Sequence, residues 1–336
     1  MEPGTAPWVA TRRRGGLRTL SRGPHFGSAR RHGMDRKARR AALAAAAGLC
    51  LAAPLAAAMP ATANTVTVTS HFVWTPPDSD VGNISAFIVN GATDNRPGAV
   101  LFVTPNYNAN AECGCIYDQD PIGVAWDGHG WELFNEDRDT MTDGASFNIL
   151  VVPKASRYAF FLTAKSSNIS GDSVFINSKL TNGKPGADIQ VTQDPTPDGV
   201  TIGHVLTFNP HHVGVRYDRA NKRWAIFNED HAAMPVDASF NVLASPAASN
   251  GGHGEELTAA TGNLHNGGVA ISASQTAGNP NNVTFVTQTA SPDGKTGHWD
   301  NAQPGVWFNG NTEVIFNEDQ SDIAARTAFN VLTFFS

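Results

Sequence analysis

One segment of 20 residues occurs three times in this chain, at 131–150, 224–243 and 313–332. Each copy contains Phe-Asn-Glu-Asp, and a second Phe-Asn begins thirteen residues after the first Phe. A bulky apolar residue, Met or Ile, lies seven residues after the first Phe in every copy. Fixed spacing of this kind predicts one local conformation used three times, so the fold must contain a threefold internal repeat.

The residues around these segments predict strands and turns. From 64 to 336, stretches of four to eight apolar or alternating residues recur about every twelve residues, between clusters of Gly, Pro, Asn and Asp. This pattern predicts an all-β protein of three tandem small antiparallel β-sandwich or barrel domains, each stabilised by a Phe-lined hairpin. Short or flexible linkers favour three separate units, and a single ring of propeller blades is the alternative.

The first 63 residues differ from the rest in composition. A basic run at 34–40, an alanine-rich apolar stretch at 41–59 and a small-x-small sequence at 61–63 are the three parts of a signal peptide. We therefore expect a secreted protein, extracellular or periplasmic, with an uncleaved membrane anchor as the alternative. The predicted organisation is a non-structural extension at 1–33, the signal peptide at 34–63 and β-repeats at 64–153, 154–246 and 247–336.

Removing the predicted signal region changes the charge of the chain. Residues 1 to 63 carry 11 of the 24 Lys and Arg but 2 of the 30 Asp and Glu, so the remainder holds 13 basic and 28 acidic residues, a formal charge of −15. Such a surface repels phosphate backbones and anionic lipid. This charge argues against nucleic acid as a partner, and it leaves the export signal as the one predicted membrane contact.

Tryptophan is the candidate ligand-binding residue of the repeat. Trp131 and Trp224 open the first two signature segments, but Glu313 stands at that place in the third. A position that accepts Glu is predicted to lie at the solvent edge, where an exposed indole can stack on a sugar ring. The candidate residues are Trp131, Trp224 and Trp307, and the alternative is that the indoles cover the flank of the hairpin.

The Asn-Glu-Asp sequence has two interpretations. Either the Asp ends its strand by hydrogen-bonding the loop backbone, as in an Asx turn, or it contributes to an oxygen-rich site for Ca²⁺. The first is favoured, because each copy offers one carboxylate pair and the spacing matches no known calcium loop. The candidate metal ligands are Asp137, Asp230 and Asp319, with Ca²⁺ as the cofactor that they would hold.

Two cysteines remain after the signal region, Cys113 and Cys115. An even number of cysteines in an exported protein predicts oxidation, so we expect a disulfide between them. A bond across one residue would stiffen a turn rather than connect distant parts of a domain. The other two repeats lack the pair, so it does not belong to their shared function.

No catalytic sequence motif is present. The chain contains no Gly-x-Ser-x-Gly and no His-Glu-x-x-His, and adjacent carboxylates such as Glu136 and Asp137 point to opposite faces of a strand. Three equivalent copies suit avidity. We therefore interpret the chain as a secreted non-catalytic binding or surface-interaction protein, with polysaccharide or cell-envelope glycan as its partner. The alternatives are an extracellular hydrolase with its site in the variable loops, or a purely structural matrix or envelope protein.

The repeated sequences also resemble a known family. Phe-Asn-Glu-Asp, the Met at plus seven and (Ala/Ser)-Phe-Asn-Val-Leu, preceded by Gly-Val-x-aromatic, are similar to an uncharacterised tandem-repeat β-domain of exported bacterial proteins. The opening His of that domain is present as His71 and His253 but replaced by Arg157, and its Thr-Pro-Asn loop occurs once, at 104–106. The resemblance covers 69 to 334 and implies export and a β-fold, without a ligand or an activity.

Overall fold

A computed structural model describes residues 65–77, 83–109, 112, 114–199, 206–244, 247–248, 251–272 and 278–335. The predicted extension and signal peptide lie outside these residues. Within the described ranges the helical structure is confined to short 3₁₀ turns, among them Pro197–Gly199 and Pro292–Gly294. None of the helices in this part of the chain has the length and hydrophobicity of a membrane span.

The described residues form 22 strands. Those of the first repeat are β1 (Thr65–Val66), β2 (Ser70–Trp74), β3 (Ser85–Phe87), β4 (Val100–Pro105), β5 (Ile122–Trp126), β6 (Trp131–Asn135) and β7 (Phe147–Val152). Those of the second are β8 (Ala159–Thr163), β9 (Ile169–Ser170), β10 (Ser173–Phe175), β11 (Ile189–Gln193), β12 (Val213–Asp218), β13 (Arg223–Asn228) and β14 (Ser239–Ala244). Those of the third are β15 (Ala247–Ala248), β16 (Gly252–Thr258), β17 (Leu264–His265), β18 (Gly268–Ala270), β19 (Val283–Thr289), β20 (Pro304–Phe308), β21 (Glu313–Asn317) and β22 (Ala328–Phe334).

Each repeat contains two antiparallel groups of strands. In the inner group the strand with the second Phe-Asn lies between two neighbours, giving β2-β7-β4, β8-β14-β11 and β16-β22-β19. In the outer group the first Phe-Asn strand is central, giving β3-β6-β5, β10-β13-β12 and β18-β21-β20. The all-β fold with three tandem repeats is therefore confirmed.

The predicted Phe-lined hairpin is wrong in one respect. The two Phe-Asn segments of a repeat do not pair with each other, since β6 pairs with β3 and β5 whereas β7 pairs with β2 and β4. They face each other across an apolar core instead, and Trp131, Leu133, Phe147 and Ile149 belong to one buried cluster. The constant spacing of thirteen residues is the length needed to cross from the outer group of strands to the inner one.

The Met or Ile between the two strands helps to close this core. Met141, Met234 and Ile323 are each buried in the core cluster of their own repeat. The backbone N–H of Met234 donates to the carbonyl of Gly171, and that of Ile323 donates to Gly267, both over 3.0 Å or less. The residue seven positions after the first Phe therefore folds back over the core of its repeat.

The expectation of three separate units is wrong, because the repeats form one compact unit, Ala58–Ser336. Parallel bridges join them in a closed ring. Residue pairs Gly123–Gln193, Val215–Thr289 and Val306–Asn106 connect the first repeat to the second, the second to the third and the third to the first. All three repeats also share a central core cluster, which contains Phe102, Leu243 and Phe334.

Polar side chains inside the ring repeat the same threefold pattern. The buried Asn of each second Phe-Asn donates through Nδ2 to a carbonyl of another repeat: Asn148 to Thr284, Asn241 to Leu101 and Asn330 to Ile189, at 2.8–3.0 Å. Thr104, Thr192 and Thr287 lie on the equivalent strands β4, β11 and β19. Their hydroxyl oxygens accept the backbone N–H groups of Val286, Val103 and Val191, each at 3.0 Å. These bonds satisfy polar groups that would otherwise be buried without a partner between the repeats.

Candidate functional site

The signature Glu spans each junction between repeats. Glu136 accepts the backbone N–H of Asn209 in the second repeat, and Glu318 accepts that of Asp118 in the first, both at 3.0 Å. Glu229 accepts from the amide of Gln288 in the third repeat at 2.5 Å. All three side chains are buried. The role of this Glu is therefore to link neighbouring repeats.

Burial makes these carboxyl groups poor acids. Desolvation raises the pKa of Glu136 to about 8, and it raises the pKa values of Glu229 and Glu318 well above their usual range. Nearby carboxylates add to the effect: Asp194 acts on Glu136, Asp300 on Glu229 and Asp118 on Glu318. Burial therefore favours the protonated, neutral form of all three carboxyl groups.

A glycine faces the signature Glu at each junction. A Cβ built on Gly123, Gly214 or Gly305 would be too close to the carboxyl oxygen of Glu136, Glu229 or Glu318. This close approach explains why all three copies have Gly before Val in the Gly-Val-x-aromatic sequence.

Replacing Gly214 by Ala is expected to destabilise the protein by about 1–3 kcal/mol, because the new Cβ would meet Glu229 Oε1 at 2.8 Å and the carbonyl of Gln288 at 3.1 Å. Denaturant unfolding measures the loss. Gly262→Ala is the control, since a Cβ at Gly262 would meet nothing within 4 Å. Equal stability of the two variants would contradict the close packing at the junction.

The signature Phe meets an aromatic ring of the next repeat at every junction. Phe134 packs against Phe208 with a centroid distance of 5.6 Å, Phe227 against Trp299 at 5.6 Å and Phe316 against Tyr117 at 5.9 Å. All three pairs have the edge-to-face geometry that aromatic pairs prefer. We call these the 1–2, 2–3 and 3–1 junctions, after the repeats that they join.

Basic side chains cover the aromatic pair at two junctions. At the 1–2 junction the guanidinium of Arg138 lies 4.9 Å from the ring centroid of Phe208. At the 2–3 junction Arg216 lies 5.2 Å from the centroid of Phe227, and the ring of His231 packs edge-on against Trp299. Phe134 and Phe227 are buried.

In the part of the chain that the structure describes, no basic side chain covers the aromatic pair of the 3–1 junction. Gln320 stands where the other repeats have Arg138 and His231, and Trp307 stands where the second repeat has Arg216. As a result Phe316, unlike its two counterparts, is partly exposed. It lies in a pocket of about 350 Å³ with three more aromatic side chains, Tyr107, Tyr117 and Trp307.

The aromatic side chains of this pocket are held by contacts between the first and third repeats. The rings of Tyr107 and Tyr117 stack at 4.5 Å, and both meet the edge of Phe316. The backbone N–H of Tyr107 donates to the carbonyl of Val306 at 3.0 Å. The Asn108 amide makes two bonds of 2.7 Å to the backbone of Phe308, which places the loop of the first repeat beside Trp307.

The predicted cysteine pair lies in the same loop. Cys115 forms a disulfide, and its backbone N–H donates to the carbonyl of Tyr107 at 3.0 Å. Cys113 lies outside the described residues, so its pairing with Cys115 stays a prediction. The disulfide therefore lies in the segment that carries two of the four aromatic side chains of the pocket.

The three candidate tryptophans lie in two different environments. Trp307 is partly exposed and lines the pocket, but Trp131 and Trp224 are both 0% exposed, so their predicted solvent-edge position is wrong. Their indole N–H groups donate to the carbonyls of Arg96 and Lys184, which precede the prolines of the predicted turns. As placed, these two indoles have no face available to a sugar.

Glu313 misled the prediction because it is also buried, at 4% exposure. Its carboxyl group accepts the hydroxyl of Thr284, and burial raises its pKa to about 7. A nearby hydroxyl and partial neutralisation allow Glu to occupy a core position that holds Trp in the other repeats. A Glu in one copy of a repeat is therefore not evidence of an exposed position.

The three predicted metal ligands, Asp137, Asp230 and Asp319, come together along the side of one pocket of about 330 Å³. One oxygen of each accepts a backbone N–H two residues later, over 2.9–3.0 Å, so the Asx-turn interpretation describes them. The second oxygen of Asp230 lies 2.8 Å from Nδ1 of His211.

Among the described residues, the one group of carboxylates close enough to share an ion is Asp120, Asp137 and Asp139, all within a single repeat. Burial and the two neighbouring carboxylates raise the pKa of Asp120 to about 6. The Ca²⁺ hypothesis stays a prediction.

A family model, described as a domain of unknown function (DUF7452), matches residues 58–151, 131–244 and 214–333. Adjacent matches overlap at 131–151 and at 214–244. Each overlap contains the signature segment that links one repeat to the next. No curated protein and no solved structure matches the chain significantly. Because the three matches together cover most of its length, the chain belongs to the DUF7452 family of domains of unknown function.

Proposed function

We propose that this is an exported, non-catalytic protein that binds a polysaccharide or cell-envelope glycan in the pocket at the 3–1 junction. The observation that carries the proposal is the set of four aromatic side chains, Tyr107, Tyr117, Trp307 and Phe316, lining one open pocket. The export signal at 34–63 is part of the same proposal.

The polar residues of the pocket suit a saccharide as well. Asn266, Gln320, Ser321 and Asp322 line it beside the aromatic rings. An aromatic ring packs against the CH face of a sugar, and amide, hydroxyl and carboxylate groups bond to its hydroxyls. A pocket of about 350 Å³ is within the size range of ligand-binding sites in proteins.

The same residues favour binding over hydrolysis. The residues lining the pocket include one carboxylate, Asp322, whereas glycoside hydrolysis generally uses a pair. Tyr107 and Tyr117 do come from a variable loop, the place where the hydrolase alternative put its active site. Their side chains provide contact surface rather than the acid and base that the reaction requires.

The test is to screen the full chain on a glycan array and to measure the affinity of the best ligand by calorimetry. Trp307→Ala is expected to weaken binding about tenfold, the loss of one aromatic contact worth roughly 1.4 kcal/mol. Gln320→Arg is expected to weaken it as well, by placing over Tyr117 the cation that Arg138 places over Phe208.

Arg138→Gln is the matched control. It makes the reciprocal change at the 1–2 junction, outside the pocket, and should leave the affinity unchanged. Equal losses in Arg138→Gln and Trp307→Ala would show that the pocket is not the site, and a wild-type protein that binds no glycan would remove the proposal.

A further inference from the structure

The second repeat contains a cation at the place that corresponds to the pocket. Arg216 and Trp307 both lie two residues after the junction Gly, on equivalent strands β12 and β20. The guanidinium of Arg216 lies 5.2 Å from the centroid of Phe227 and bonds to the carboxylate of Asp172 at 2.6 Å. The 2–3 junction therefore uses an aromatic face and a carboxylate to hold a positive charge.

The third repeat keeps the aromatic face without that cation. Phe316 corresponds to Phe227, but Trp307 replaces Arg216 and Gln320 replaces His231, the second basic partner of Asp172. The guanidinium and the imidazole of the 2–3 junction are therefore replaced by an indole and an amide. Trp307 and Gln320 both line the pocket.

A carboxylate is nevertheless present there. Gly267 is the counterpart of Asp172. Asp172 immediately precedes β10, which pairs with β9, and Gly267 immediately precedes β18, which pairs with β17 in the same register. A Cβ on Gly267 would overlap Oδ1 of Asp322, so the Asp322 carboxylate lies where a side chain of residue 267 would begin. Among the described residues that line the pocket, Asp322 is the one with an acidic or basic side chain other than the tyrosines.

We infer that the pocket recognises a positively charged group, and that its ligand is a saccharide carrying a free amine. An ammonium group in the pocket takes the place of the Arg216 guanidinium, between the aromatic rings and Asp322. Cation–π attraction and the charge pair act together in this arrangement. The net charge of −15 predicted for the exported chain attracts the same class of ligand.

That the ligand is a saccharide rests on the proposed function, whereas the recognition of a positive charge does not. The probes are an oligosaccharide of β-linked glucosamine, its N-acetylated counterpart and tetramethylammonium chloride. The two oligosaccharides share a backbone and differ at the nitrogen of each sugar, which is a basic amine in one and an uncharged acetamide in the other. Tetramethylammonium tests the cation site without any sugar.

The amine form is expected to bind the full chain about tenfold more tightly than the acetylated form at low salt, because the Asp322 carboxylate and the aromatic faces both attract the ammonium group. Asp322→Asn should reduce this preference to about threefold or less, since it removes the carboxylate and leaves the aromatic faces. Asp94→Asn, an exposed substitution with the same change of net charge outside the pocket, should leave the preference unchanged.

Equal binding of the two oligosaccharides, or tighter binding of the acetylated one, would overturn the inference and leave the glycan function in place. Tetramethylammonium binding that Trp307→Ala abolishes, without binding of either oligosaccharide, would support the cation site and overturn the amino sugar as its ligand. A protein that binds none of the three probes would overturn the whole inference, and the glycan array would still decide the proposed function.

Discussion

Replacing Trp224 by Ala is expected to destabilise the protein by about 3–5 kcal/mol, a large part of the stability of a typical domain. The indole is fully buried in the core of the second repeat, 5.5 Å from the ring centroid of Tyr217. Its removal leaves a cavity in that core and also breaks the bond from Nε1 to the carbonyl of Lys184. Denaturant unfolding of the purified chain measures the loss.

Two further variants separate the causes. Trp224→Phe keeps most of the apolar volume and loses the bond to Lys184, so it should cost about 1–3 kcal/mol. Trp307→Ala removes a partly exposed indole and should affect stability much less than Trp224→Ala. If Trp307→Ala proved as destabilising as Trp224→Ala, the structural distinction between a core indole and a pocket indole would be wrong.

The second large effect that we expect is one of pH: the protein should be more stable at pH 5.5 than at pH 8.5. Burial raises the pKa of Glu136 to about 8 and that of Asp118, Asp194 and Glu313 to about 7, with Glu229 and Glu318 also raised. Between the unfolded and folded pKa values the folded state holds protons that the unfolded state has released. The free energy of unfolding therefore falls as pH rises from about 4.5 towards 8.

Two histidines act in the opposite direction over part of this range. Burial lowers the pKa values of His71 and His212, so the folded state binds fewer protons than the unfolded state near and below pH 6.5. Their contribution to stability is therefore lost as pH falls. The carboxyl groups with raised pKa values outnumber these two histidines, so the protein should be more stable at pH 5.5 than at pH 8.5.

Melting temperatures at pH 5.5, 7 and 8.5 test this prediction. One pKa unit corresponds to about 1.4 kcal/mol, so even a single shifted carboxyl should change the melting temperature by roughly 3 °C. Glu136→Gln removes one ionisable group, keeps an acceptor for Asn209 and should raise the melting temperature at pH 8.5. A melting temperature that increases from pH 5.5 to 8.5 would contradict buried neutral carboxyl groups at the junctions.

The local features of this fold are visible in its sequence. Strand periodicity, the turn-forming clusters of Gly, Pro, Asn and Asp, and the thirteen-residue spacing predicted the all-β repeat, and the apolar residue at plus seven, such as Met141, is buried in each copy. Ring closure was not predictable in this way, since it depends on contacts between residues far apart, such as Asn108 with Phe308 or Glu318 with Asp118. Local sequence patterns do not show which distant residues will pair.

The candidate pocket was predictable only in part. Trp307 was among the predicted ligand-binding residues, whereas Tyr107, Tyr117 and Phe316 were not. Tyr107 and Tyr117 lie in a loop that differs between repeats, and Phe316 belongs to a motif that suggested only a core role. The available signal was Gln320, an uncharged residue at a position where the other two copies have Arg and His.

Closure of the ring determines how many repeats such a protein can have. The third repeat returns to the first through the bridge between Asn106 and Val306 and through the bond from Asp118 to Glu318. In a linear array a copy can be gained or lost at either end, because the remaining interfaces survive. Here every copy has two neighbours, so losing one would expose two interfaces and an added fourth would have no place. Evolution within this architecture must therefore proceed by altering individual junctions while the number of copies stays at three.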